Sequence, residues 1–144
     1  MADVLSQNEI DELLSAISTG VVNAENINQI RTLYMLHENF ARLLNTYLSA
    51  HLRTMVQVSV ASVDQLTYEE FIRSMPNPSV ISIFEMRPLS GNALMEINPA
   101  IVFSIIDRLF GGVGTPPAKP RELTDIEQSI VARLVNKALE SLSE

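Results

Sequence analysis

The sequence predicts an α/β domain in which a central, largely antiparallel sheet is flanked by helices, with an acidic amphipathic helix in front. Three observations carry this. Apolar residues recur at three and four through residues 24–54 and again from Ile126 to Leu142, the period of helices with one buried face. Between these stretches, Val80 to Met86 and Ala93 to Ile97 are short apolar runs joined by a Pro88 to Ser90 turn, as in a hairpin with apolar residues on both faces. Three Ser/Thr-x-x-Glu boxes, Ser6 with Glu9, Thr67 with Glu70 and Thr124 with Glu127, each mark a helix start.

Composition excludes several classes. A chain of 144 residues is one domain's worth, long enough for a core. It has no cysteine, so neither a disulfide framework nor a thiolate metal site is available, and the cytoplasm is the default compartment. The longest apolar runs are broken by Ser104 or Asp107 well short of a membrane span, and the N-terminus carries acids where a secretory signal needs bases. A net charge of -7 argues against nucleic acid as the main partner.

The first element is a helix from Gln7 to about Ser18. Leu5 and Ile10 occupy the staple positions around the Ser6 cap, and Ile10, Leu13, Leu14 and Ile17 form one apolar stripe beside Glu9, Asp11 and Glu12. A helix of about a dozen residues is marginal alone in water, so this stripe must dock on something, either its own domain or a partner. Residues 20–23 read as a short linker. The long helical pattern of residues 24–54 then carries Ile27, Ile30, Leu33, Phe40, Leu44, Leu48 and Leu52 on its core stripe. His37 and His51 lie on it about 21 Å apart, too far to share a metal, so no metal site is expected.

Val56, Val58 and Val60 alternate with Gln57, Ser59 and Ala61, the period of a half-buried strand. A short helix from Tyr68 to about Ser74 follows the second box, and Pro76 and Pro78 end it. After the hairpin, Asn98 can cap a helix with Pro99 at its first position, and Ile101, Val102, Ile105, Ile106, Leu109 and Phe110 cover most of that helix's circumference. Only Ser104, Asp107 and Arg108 form a polar strip. Gly111, Gly112, Val113 and Gly114 stop the helix, and two readings of these glycines stay open. Either Gly111 takes a left-handed cap and Gly112 loosens the exit, or the small residues let a partner approach the backbone. A phosphate cradle is excluded, because such a loop must precede a helix rather than follow one. The last helix starts at the Thr124 box.

Several of these stretches resemble one family. Gly111-Gly-Val-Gly114, directly after Asp107-Arg-Leu-Phe110, resembles the signature loop of the middle domain of the flagellar motor switch family FliM, where it docks the rotor protein FliG. Leu5-Ser-Gln-Asn-Glu-Ile-Asp-Glu-Leu-Leu14 resembles the peptide with which that family captures the phosphorylated response regulator CheY. Ile30 to Leu33, His37 to Leu44, Ser62 to Ser74 and Gly91 to Asn98 are similar to its middle domain.

The resemblance implies a CheY-binding helix at 1–19, a shortened linker at 20–23 and a CheC-like middle domain at 24–144. That domain would be truncated at its C-terminus, without the family's further strands and FliN-like domain. It implies that phosphorylated CheY meets Leu5, Ser6, Glu9, Ile10, Asp11, Glu12, Leu13 and Leu14, and FliG meets Phe110, Gly111, Gly112, Val113 and Gly114. FliN and neighbouring FliM copies would be further partners, at the cytoplasmic face of the flagellar basal body, the C-ring, with no cofactor and no insertion into the membrane.

An enzymatic alternative comes from the fold's similarity to CheC-type phosphatases, which act on phosphorylated CheY through Ser/Asp, Glu and Asn at helical spacing. Ser129, Arg133 and Asn136 have that spacing, but Arg133 is a fixed cation that cannot accept a hydrogen bond from the attacking water. The expectation is therefore a non-enzymatic adaptor.

Overall fold

The structure, a computed structural model, describes residues 7–143 and, before Asn26, only the side chains of Asn8, Ile10 and Asp11. The order is helix α1 (Gln7–Leu52), α2 (Tyr68–Ser74), strands β1 (Val80–Glu85) and β2 (Asn92–Ile97), α3 (Pro99–Leu109) and α4 (Asp125–Leu142). Internal contacts divide the chain into two units, Met1–Asn39 with Val60–Gln65 and Phe40–Ser59 with Leu66–Glu144.

α1 corrects the sequence reading in one respect. The predicted break at residues 20–23 is absent, and helix runs through it. A single Gly20 costs a helix only about 1 kcal/mol relative to alanine, and no proline stands nearby to remove a hydrogen bond. Among the described residues of the first unit, Ile27 and Leu33 of the predicted stripe are exposed, Ile27 at 63%, while Ile30 is half-buried. The Ser6/Glu9 box and the Leu5 staple lie outside the described residues.

In the second unit, α1 begins to bury its apolar face at Ala41, Leu48 and Leu52. The residues expected to form a strand at Val56–Val60 do not pair with another strand, although their burial alternates as predicted. Their hydrogen bonds go to α1 side chains instead. Asn45 Nδ2 donates to Val58 O at 3.2 Å while Asn45 Oδ1 accepts from the Val58 N–H. Ser49 Oγ accepts from the Val56 N–H at 3.0 Å. Two polar side chains one helical turn apart on α1 thus stand in for a neighbouring strand, satisfying backbone groups that could not be left bare.

α2 starts as the capping box predicts. The Glu70 N–H donates to Thr67 Oγ1 at 3.3 Å, and the Thr67 N–H to Glu70 Oε2 at 2.9 Å. The hairpin is antiparallel, with Val80 opposite Ile97, Ser82 opposite Met95 and Phe84 opposite Ala93. Its inward face brings Val80, Met95 and Ile97 onto the core cluster of Val102, Ile106, Val131 and Val135. Its outward face is apolar too, with Ile81, Ile83 and Leu94 exposed.

α3 and α4 form the floor of that core. Asn98 Oδ1 accepts from the Ala100 N–H at 2.9 Å, and Pro99 occupies the first turn, as the sequence implied. Val102 is fully buried. At roughly 1.5–3 kcal/mol for each buried aliphatic side chain, Val102, Ile106, Val131 and Val135 are the main tie between the two helices and the hairpin. α4 begins with the third box, where the Thr124 N–H donates to Glu127 Oε2 at 2.8 Å. Glu127 also receives both terminal nitrogens of Arg121, at 2.8 and 2.7 Å, and that guanidinium lies over the Phe103 ring at 4.3 Å.

Candidate functional site: a glycine-shaped loop at the end of α3

The loop is built from the last turn of α3 outward. Phe110 ends the helix, and Gly111 follows in the left-handed region at φ 91°. The Gly111 N–H donates to Arg108 O at 3.0 Å and the Gly112 N–H to Asp107 O at 2.8 Å, the paired bonds of a Schellman stop. The cap reading of Gly111 is therefore correct. Gly112 differs from the sequence reading, because its φ is not in the left-handed region and the constraint there is space: a Cβ would collide with the Asp107 carboxylate. Gly114 is again left-handed at φ 91°. Each glycine thus has its own local cause, two from conformation and one from a close neighbour.

Asp107 explains why the loop keeps this shape. Its Oδ2 accepts from the Gly114 N–H at 2.8 Å and the Thr115 N–H at 3.1 Å, drawing the end of the loop back onto α3. Arg108 holds it from the other side, with Nη1 3.4 Å from Gly112 O and Nη2 3.1 Å from Leu52 O and 3.2 Å from Arg53 O. The sequence reading placed both residues on a polar strip and missed this role. A signal was present: an acid in the last turn opposes the helix dipole, so Asp107 needed donors there, and the amides after the glycines are the nearest.

With the backbone tied inward, the side chains project. Val113 is 83% exposed and Phe110 72%, so the loop presents two apolar groups to solvent at fixed positions. Beside it, a groove of about 710 Å³ runs between Leu52, Val56 and Val58 on one wall and Ile101 and Ile105 on the other, ending at Val113.

Leu5 and Ser6 lie outside the described residues, as do the side chains of Glu9, Glu12, Leu13 and Leu14. Ile10 and Asp11 are exposed on α1. Ser129, Arg133 and Asn136 are exposed along α4, with the Ser129 hydroxyl donating to Asp125 O at 3.0 Å. His37 and His51 each engage a backbone oxygen four residues earlier, Leu33 O at 2.8 Å and Tyr47 O at 3.0 Å. Among the described residues no group of three or more His, Cys, Asp or Glu could hold a metal ion.

The fold is a mixed helix and hairpin domain that displays a tied, apolar-tipped loop at the end of α3. The comparisons give its family. A family model described as flagellar motor switch protein FliM matches residues 26–144. The flagellar motor switch protein FliM of Treponema pallidum is 49% identical over 166 aligned positions, covering 100% of this chain and 48% of that protein. The Bacillus subtilis protein of the same name is 44% identical, covering 99% of this chain and 49% of its own length. In structure, the chain is similar to one in the crystal structure of the FliG-FliM complex from H. pylori, with a TM-score of 0.77, 37% identity, and coverage of 80% of this chain and 63% of that one. It is also similar to the FliM middle domain from H. pylori, with a TM-score of 0.70, 36% identity, and coverage of 80% and 61%. This chain belongs to the flagellar motor switch FliM family. It spans about half the length of the curated relatives it matches.

Proposed function

We propose that this chain is a non-enzymatic docking adaptor of the bacterial flagellar motor switch, in which the loop from Phe110 to Gly114 binds FliG. The observation that carries the reading is the loop itself, whose backbone is tied down at both ends while Val113 and Phe110 point outward. Likeness to a chain of a FliG-FliM complex supports the choice of partner. Small apolar groups on a rigid support suit a partner surface, since little conformational freedom remains to be lost on binding.

The second half of the reading is that residues 1–19 capture phosphorylated CheY, through the apolar groups of Leu5, Ile10, Leu13 and Leu14, the Ser6 cap and the acids Glu9, Asp11 and Glu12, with the helical residues 20–23 continuing into the domain. The resemblance of Leu5 to Leu14 supports it. FliN and neighbouring FliM copies complete the proposed assembly, at the cytoplasmic face of the basal body. No helix among the described residues is long and apolar enough to cross a membrane. Arg133, at the centre of the Ser129 to Asn136 triplet, weighs against a phosphatase.

The test of the loop avoids its glycines, because a side chain at Gly111 or Gly114 would be strained whatever it touched. Val113→Asp is expected to weaken FliG binding at least tenfold in a titration, with Tm within about 2 °C of the native chain. Native affinity in that folded variant would end the FliG reading. For CheY, Leu13→Ala with Leu14→Ala is expected to abolish binding, and the native chain to bind the phosphorylated form more tightly. Equal affinity for both forms would remove the switching role, since a ligand without preference shifts no equilibrium.

A further inference from the structure

Arg108 sits in an unusual place for a cation. Its guanidinium is bound by carbonyl oxygens of three residues, Leu52, Arg53 and Gly112. Its Nε is buried with no hydrogen-bond partner among the described residues. Two of the three acceptors are the carbonyls of Leu52, the last residue of α1, and of Arg53 directly after it, at a helix end whose carbonyls lack partners within the helix. Arg53 follows the helix in the left-handed region, at φ 49°, a conformation uncommon for a residue other than glycine. The partial negative charge of about half a unit at a helix C-terminus offsets the cation. An arginine from α3 therefore completes the end of α1 while its other terminal nitrogen reaches the loop. The stem of the same side chain packs beneath Gly114, where a Cβ would stand 3.2 Å from Cγ and Cδ.

We propose that Arg108 is a positioning residue for the docking loop: through one forked side chain it makes the loop and the last turn of α1 move as one body, so that partner affinity depends on how α1 ends. This rests on the FliG reading above. The Schellman bonds and the Asp107 contacts are internal to α3 and its loop, and they preserve the local turn without it. Among the described residues, Arg108 is what hydrogen-bonds from that turn to Leu52 and Arg53, 56 and 55 positions earlier in the chain. A planar fork with donors on both terminal nitrogens can do this, whereas a lysine ammonium is a single point.

The test uses the full chain. Arg108→Gln is expected to raise the FliG Kd about tenfold, as for a loop in its binding shape about a tenth of the time, and Arg108→Lys to fall between it and native. Arg53→Val, which cannot readily hold a left-handed φ, is expected to give a similar loss and faster amide exchange at Gly112 and Gly114. Arg53→Gly keeps the conformation and is expected to bind as the native chain does. The variant carrying both Arg108→Gln and Arg53→Val is expected to be no weaker than the worse single, because both break one connection. Losses that multiply, or native affinity in a folded Arg108→Gln chain, overturn the coupling. If Arg108→Gln does not fold, Arg108→Lys and Arg53→Val decide by the same criteria. Val113→Asp separates the two ideas. If it binds FliG normally, the docking reading itself fails; if it fails to bind while the Arg108 and Arg53 variants bind normally, only the coupling fails.

Discussion

Glu127 shows how much one side chain can be asked to hold. It is the third residue of α4, it accepts the Thr124 N–H, and it receives both terminal nitrogens of Arg121. Arg121 is the larger cause and Thr124 the next, and together they bring its pKa down from 4.5 to about 2. Exposed ion pairs are usually worth little, but this one is bidentate and Glu127 is largely covered, whereas the Arg87 pair with Glu85 is open to solvent. The sign follows from the lowered value. Above about pH 4.5 the carboxylate is charged folded or unfolded, and its stabilisation is fully present. As pH falls from there towards 2, the unfolded chain takes up a proton the folded one refuses, so the stabilisation drains away. Glu127→Gln should therefore melt below the native chain at pH 7, by a gap that narrows below pH 4.5 and closes near pH 2. A gap constant across that range would mean the lost contacts are not electrostatic.

At the scale of elements, legibility followed how local the deciding interactions were. α2, α3 and α4 were readable because their starts are set within four residues, by Thr67, Asn98 and Thr124. The hairpin was readable for the same reason, its turn lying between two short apolar runs. Val56–Val60 was misread because its alternation is genuine while its partner is not a strand: Asn45 and Ser49, polar positions on a helix, carry no mark that they will bind a backbone. The linker read at residues 20–23 is helix instead, since one glycine with no proline beside it does not stop α1. At the candidate site, Gly111 to Gly114 could be read from composition as a helix stop, while a docking role for Phe110 to Gly114 came from the family resemblance. What makes the loop rigid could not, since the partners of Arg108 lie far back in the chain and are main-chain atoms, identical in every residue type.

Across the whole molecule, large apolar side chains stay in contact with water at several places: Ile27 and Leu36 on α1, Ile81, Ile83 and Leu94 on the outward hairpin face, and Val113 on the loop. A net charge of -7 helps keep such a surface dispersed. Asn45 adds a protection of another kind. Met55 to Ala61 has no charge, no proline and three alternating valines, the composition of segments that stack into cross-β fibrils once their backbone is free. The amide of Asn45 occupies both the donor and the acceptor of Val58, at the middle of that segment. Asn45→Leu keeps a helix-compatible residue and adds apolar volume, yet leaves those two groups open to another chain. It should shorten the lag before a thioflavin-binding precipitate forms, and Ser59→Lys in the same background should restore the lag by placing a charge in the stack. One side-chain amide near the end of a long helix would then be what separates a folded domain from a fibre.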